Sequence, residues 1–90
     1  MTRHFEFVPG DEISLASGIL LRRIRATVER PFCGVKAGDL GGYIEHEHNL
    51  MGGAWVGSSV WISGDVVLYG NAAVTGNVWV RPKEKKHETL

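Results

Sequence analysis

Residues 42–80 read GYIEHEHNLMGGAWVGSSVWISGDVVLYGNAAVTGNVWV. Within this stretch an aliphatic residue recurs at every sixth position, in the column Ile44, Leu50, Val56, Ile62, Leu68, Val74 and Val80. An α-helix repeats near 3.6 residues and a strand near 2, so a sustained period of six indicates short strands joined by regularly spaced corners. The stretch therefore predicts a parallel β-helix of hexapeptide repeats.

Two further sets of positions keep the same register. The position two residues before each aliphatic is small or β-branched in every repeat but one: Gly42, His48, Ala54, Val60, Val66, Ala72 and Val78. Corner pairs such as Gly70-Asn71 follow the aliphatics, and Gly and Asn are the residues that best tolerate a positive φ. Each hexad is thus predicted to point its small and aliphatic residues inward. The exception, His48, predicts an irregular first coil.

The number of repeats limits the stability of the predicted stack. Three hexads, one for each side of a triangular prism, make a coil of about eighteen residues, so the chain supplies little more than two coils. Solenoid repeats bury their apolar faces against neighbours and generally need about three or more units to be stable. We therefore expect the coils to be completed by the N-terminal third of the chain, by self-association, or by both.

The N-terminal third predicts a β-hairpin. Residues 5–8 alternate as a short strand that a turn at residues 9–11 would end, and a second strand is expected from Ile19 to about Val28. A helix from Asp11 to Arg25 is the alternative. The predicted organisation is a hairpin and connector over residues 1–37, a hexapeptide-repeat β-helix over 38–83 and a charged tail over 84–90.

The charge distribution argues against nucleic-acid binding. The 90-residue chain has a formal net charge of zero, and residues 37–80 carry four acidic and no basic side chains, unlike a phosphate-binding surface. No apolar run is long enough to cross a bilayer, and the first residues lack the apolar core of a signal peptide. The single Cys33 suits a reducing compartment. We expect a cytoplasmic protein with no membrane partner and no cofactor.

A family resemblance rests on the residues that precede the repeats. Residues 35–45 read VKAGDLGGYIE, and Asn49-Leu50 and then Gly-Asp-Val and Gly-Asn-Ala hexads follow them. Over about residues 19 to 80 the chain resembles the YdcK-like hexapeptide-repeat proteins of enterobacteria and their phages, which are often labelled transferases. The resemblance implies a left-handed parallel β-helix that assembles as a trimer. The chain departs from the family in having far fewer hexads and in placing His48 among small residues.

Stacking the repeat by eighteen residues gathers aromatic side chains. The residues between the two inward positions are predicted to point outward, grouped by side as Tyr43, Trp61 and Trp79; Asn49 and Val67; and Trp55 and Ala73. An exposed aromatic column of this kind is typical of an interface. The hairpin of the same chain, a second subunit, or a bound sugar, base or protein would each cover it. We expect an oligomer interface at Tyr43, Trp55, Trp61 and Trp79.

Two histidines form a second candidate site. His46 and His48 alternate around Glu47, and an extended strand would point both imidazoles the same way. Solvated or hydrogen-bonded histidines are commoner than metal ligands, so a zinc site shared by three subunits is a weaker interpretation. Hexapeptide-repeat acyltransferases use a histidine as general base between subunits, and Glu45 and Glu47 flank His46 here. We predict a small-ligand site at His46 and His48, with no metal and no catalytic residue.

These observations predict a non-enzymatic, trimeric binding or structural protein. Because the resembling proteins are often phage-encoded, the expected role is that of a phage or prophage accessory protein that engages a host protein or a small ligand at subunit junctions. The alternative is an acyltransferase-like enzyme with a histidine site between subunits.

Overall fold

The structure, a computed structural model, describes residues 4–16, 18–28 and 34–81. These residues contain no α-helix, and their strands are β1 Phe5–Ser14, β2 Leu20–Ala26, β3 Leu40–Ile44, β4 Trp55–Val56, β5 Trp61–Ile62, β6 Ala73–Val74 and β7 Trp79–Val80. They form a five-stranded sheet of order β1-β2-β3-β5-β7 and a two-stranded sheet of β4 and β6. The expected all-β class is confirmed. Cys33 and the tail expected at 84–90 lie outside the described residues.

The N-terminal hairpin is formed by β1 and β2, which pair antiparallel. The turn predicted at residues 9–11 was wrong, because β1 continues through them with a bulge between Phe7 and Glu12. Gly10, with a φ of 82°, accommodates this irregularity. The chain reverses instead between Leu15 and Ile19, where Leu15 donates to the Ile19 carbonyl and accepts from the Gly18 amide. The same pairing excludes the helix considered for this region.

The repeats stack with a translation of eighteen residues. Strands β3, β5 and β7 pair in parallel along one side, β4 and β6 along a second, and Leu50 bridges Leu68 along a third. The backbone bonds follow the same translation, as when the Met51 amide donates to the Leu68 carbonyl at 2.8 Å. The period of six in the sequence thus corresponds to a three-sided stack of parallel coils.

The aliphatic column forms the core, but its burial changes along the stack. Ile44, Leu50, Val56 and Ile62 are fully buried, whereas Leu68, Val74 and Val80 are only partly buried. The hairpin contributes Phe5, Ile24 and Ala26 to the same hydrophobic cluster. The hairpin therefore closes the end of the stack at which the first coil begins.

The first coil is irregular where His48 interrupts the small column, as predicted. A 3₁₀ helix, Glu47–Asn49, replaces the expected strand, and it leaves the His48 side chain half exposed. Asn49, predicted to point outward, is fully buried. Its side-chain nitrogen donates to two carbonyls of the second coil at 3.0 and 2.6 Å, and its oxygen accepts the His46 amide at 2.7 Å. A buried amide satisfied in this way ties the first coil to the second.

Close packing explains two adjacent glycines in β3. A Cβ on Gly41 would lie 2.8 Å from an indole carbon of Trp55, and a Cβ on Gly42 would overlap the carbonyl oxygen of Val60. Glycine therefore lets β3 lie against the facing sides of the first coil.

Candidate functional site

The aromatic column of the first side is built by the parallel register. Tyr43, Trp61 and Trp79 are direct Cα partners on β3, β5 and β7. Neighbouring parallel strands lie about 4.8 Å apart, so side chains on one face of such a column contact each other. The structure therefore brings these three predicted interface residues together, although they differ in their exposure and in their contacts.

Tyr43 is covered by the hairpin of its own chain. Its hydroxyl donates to Asp11 Oδ1 at 2.6 Å and accepts from Arg23 Nη2 at 2.9 Å. The Arg23 guanidinium also donates to Asp11 Oδ2 at 2.9 Å and to the Gly41 carbonyl at 2.8 Å. We call these residues, Asp11, Arg23 and Tyr43, the clasp. The clasp fastens β1 and β2 to the first coil, and it takes Tyr43 out of the exposed column.

Trp61 and Trp79 form the part of the column beyond Tyr43. Their rings meet edge to face with centroids 5.7 Å apart, and Trp79 Nε1 donates to Ser63 Oγ at 3.0 Å. The Arg81 guanidinium lies 4.4 Å from the centre of the Trp79 ring. Trp61 is partly buried, whereas Trp79 is 41% exposed. We call this pair with Ser63 and Arg81 the tryptophan surface. It is an apolar surface with an ordered geometry and a cation at its rim.

Trp55 differs from its prediction. It stands at an outward position on the side formed by β4 and β6, but it is only 4% exposed and belongs to the same hydrophobic cluster as Ile24. The hairpin covers this side of the first coil, and His4 Nε2 makes a 2.7 Å hydrogen bond to the Ala54 carbonyl beside it. Trp55 therefore stabilises the contact between hairpin and coil and presents no surface to a partner.

His46 and His48 come together although the backbone between them is not extended. Their rings stack with centroids 4.9 Å apart and planes inclined by 10°. His46 Nε2 lies 3.6 Å from Glu45 Oε2, and His48 Nε2 lies 3.4 Å from Asp65 Oδ1. Each imidazole thus has a carboxylate beside it, which is an arrangement that can orient the ring as a proton acceptor.

The stacked histidines line a surface concavity of about 440 Å³. Its wall is formed by Arg22, His46, Glu47, His48 and Met51. This set combines a guanidinium, a carboxylate and two imidazoles with a thioether, so it suits a small polar ligand that also has some apolar surface. In the part of the chain that the structure describes, no group of three or more His, Cys, Asp or Glu side chains is arranged to hold a metal ion.

Sequence reasoning did not assign Arg22, Met51 or Asp65 to this site. The eighteen-residue translation brings residue 65 next to residue 47, so Asp65 was open to prediction from the repeat. Arg22 is different, because it reaches the site only through the antiparallel pairing of β2 with β3, where it lies opposite Ile44. No periodicity in the sequence determines that register.

Comparison with protein-family models, with curated proteins and with solved structures finds no match to this chain. None of the helices in the described ranges has the length and apolar character needed to span a membrane.

Proposed function

We propose that this chain is a non-enzymatic binding or structural protein that self-associates through the tryptophan surface. In this proposal the coils form a left-handed parallel β-helix and three subunits assemble around their flat sides, as the family resemblance implies. The observation that carries the proposal is the contrast within one column: the hairpin covers Tyr43, whereas Trp79 is 41% exposed on the same side, beside the partly buried Trp61.

The chemistry of the tryptophan surface supports an interface between proteins. Tryptophan and arginine are enriched at the buried centres of interfaces, where an indole supplies a large area at little cost in side-chain entropy. The ring of Trp79 is already held by Ser63 and by its contact with Trp61. A surface that is ordered before binding loses less entropy on association.

The biological role follows from analogy alone. The resembling proteins are often encoded by phages, so we propose a phage or prophage accessory protein that engages a host protein or a small ligand where subunits meet. The concavity beside His46 and His48 is the place for such a ligand. Its lining combines polar and apolar groups and comes from two different parts of the chain.

The test is the mass of the assembly. We expect the wild-type chain to be oligomeric by light scattering over a dilution series, and the double variant Trp61→Ala with Trp79→Ala to fall towards the monomer mass. The matched control is Leu20→Ala with Leu40→Ala, which also removes two exposed apolar side chains but from β2 and the start of β3. This control should keep the wild-type mass.

Two results would decide against the proposal. One is a wild-type chain that stays monomeric at the highest concentration, and the other is a double tryptophan variant that is folded and keeps the wild-type mass. Loss of ligand binding in that variant with an unchanged mass would instead assign the tryptophan surface to ligand recognition.

A second candidate function is supported by the carboxylates beside the histidines. The 3.6 Å separation of His46 from Glu45 is compatible with a general base in an acyltransferase-like site between subunits. Calorimetry with acetyl-CoA tests it, and the expected result for an enzyme is saturable heat that His46→Gln abolishes. The absence of heat at millimolar ligand would exclude it.

A further inference from the structure

The last layer of the stack, residues 64–81, exposes the interior of the coils. We call this layer the open end. Its inward residues Leu68, Val74 and Val80 are only partly buried, and Val78, in the small column, is 41% exposed. The equivalent residues one coil earlier are fully buried. The difference arises because nothing among the described residues lies on the open end.

Four backbone amides of the open end also have no partner among the described residues. In the coil below, Met51, Gly53, Trp55 and Gly57 donate their amides to the coil above. The residues eighteen positions later are Tyr69, Asn71, Ala73 and Thr75, whose amides point out of the open end by the same translation. None of these four amides donates to another described residue. Unpaired amides in a row form an edge that can bind another strand.

The opposite edge of the five-stranded sheet, strand β1, is protected against pairing with another strand. Strand β1 carries Pro9, a bulge at Gly10 and the carboxylates of Glu6, Asp11 and Glu12. These are the features by which proteins prevent unwanted pairing of an edge strand. At the open end the only charged residues are Asp65 and Arg81. One edge is thus protected, whereas no described residue pairs with the other.

We propose that the open end docks onto the open end of a second copy of this chain, around a two-fold axis. The edge presents both amides and carbonyls. The edge strands of two copies can therefore run antiparallel and form backbone hydrogen bonds to each other. The surfaces are identical in size, and each apolar interior meets another. Each layer carries one acidic and one basic residue, and the chain has a formal net charge of zero. Like-charge repulsion therefore does not oppose the docking of the two copies.

The sequence after Arg81 does not continue the apolar pattern of the repeat. The next positions of the two inward columns are Glu84 and Lys86, which are charged rather than small or aliphatic. Burying such side chains in a coil interior is unfavourable unless they are paired. A second copy is therefore a better occupant of the open end than a further coil of the same chain.

Hydrogen exchange of the wild-type protein tests the proposal directly. Peptides that cover residues 67–76 are measured by mass spectrometry over a dilution series. We expect exchange of the amides on the open end to slow by about tenfold or more as the concentration rises, because docking pairs them. Exchange that is slow at every concentration would mean that the same chain covers the end, and exchange that is fast at every concentration would mean that it stays free. Either result overturns the proposal.

A pair of matched variants separates this contact from the tryptophan surface. Val78→Lys places a charge on the open end, where its stem can extend to solvent, while Val28→Lys makes the same change at a site of equal exposure, 39% against 41%, beyond β2. Val78→Lys should halve the mass of the assembly, and Val28→Lys should leave it unchanged. A folded Val78→Lys protein with the wild-type mass would refute the docking. Loss of the trimer in the tryptophan variants, with end-to-end dimers remaining, would support both contacts. Tryptophan variants that keep the wild-type mass would refute only the lateral interface.

Discussion

The two ends of the coil stack carry the same columns of residues but are finished differently. At the first end, β2 pairs with β3, the hairpin adds Phe5 and Ile24 to the core, and the clasp fixes it in place. At the open end the same columns are left partly exposed. The comparison shows that the period of six provides a stackable unit, whereas closure of the stack depends on other parts of the chain.

This difference also distinguishes aromatic residues that are buried within the chain from one that is exposed to solvent. Tyr43 and Trp55, on the first coil, are used within the chain, whereas Trp79, which lies two strands beyond Tyr43 in the same column, is 41% exposed. A solenoid with one closed end and one open end can grow in a single direction only. Self-association at the open end therefore gives closed dimers rather than fibres, because a two-fold contact leaves no further edge of that kind.

The largest expected effect comes from the buried amide that joins the first two coils. Asn49→Ala leaves the His46 amide and two carbonyls without partners, and it should lower the free energy of unfolding by about 3 kcal/mol. Chemical denaturation at a fixed protein concentration measures the loss. The control is Asn71→Ala at an exposed corner, which should change it by less than about 0.5 kcal/mol. Equal losses would show that Asn49 contributes no more than a surface residue.

The second prediction compares one residue type in two neighbouring coils. Val56 and Val74 are Cα partners on β4 and β6, but Val56 is fully buried and Val74 only partly. Val56→Ala should cost about 2 kcal/mol of unfolding free energy, and Val74→Ala about 1 kcal/mol, because less apolar surface is removed from water at the open end. Denaturation of dilute protein gives both values.

The concentration dependence of these two losses in unfolding free energy tests whether the open end is covered in solution. When the open ends dock, Val74 becomes as buried as Val56, so the two losses should converge as the protein is concentrated. Losses that differ by the same amount at every concentration would indicate that Val74 stays at a free surface.

The repeat was predictable from the sequence because it is a local property. Residues six and eighteen apart identify the sides, the inward columns and the aromatic partners Tyr43, Trp61 and Trp79 without knowledge of the rest of the chain. The burial of Trp55 was not predictable, since it depends on where the hairpin lies. Asn49 was misplaced for a related reason: its carbonyl partners lie in the next coil. Arg22 joins the histidine concavity through a strand register that no periodicity encodes.

The third prediction concerns the clasp at the first end. Tyr43→Phe removes the hydroxyl that bonds both Asp11 and Arg23, and it should cost about 1 kcal/mol, because the network is partly exposed and water replaces some of its bonds. Tyr69→Phe removes the same hydroxyl from the open end, where Tyr69 is exposed, and should leave the thermal midpoint unchanged. A similar shift in both variants would mean that the clasp does not hold the hairpin.

The smallest effect is expected at the other ion pair of the hairpin. Arg25 Nη2 lies 2.6 Å from Glu6 Oε2, a shorter contact than any between Arg23 and Asp11, yet both side chains are nearly half exposed. Exposed ion pairs are screened by water and salt and restrict two flexible side chains, so Glu6→Gln should cost less than about 0.5 kcal/mol, and nothing measurable at high ionic strength. Chemical denaturation at low and at high salt measures the loss of unfolding free energy under both conditions. A loss as large as that of Tyr43→Phe, unchanged by salt, would mean that the rim of the hairpin contributes to closing the first end as strongly as the clasp.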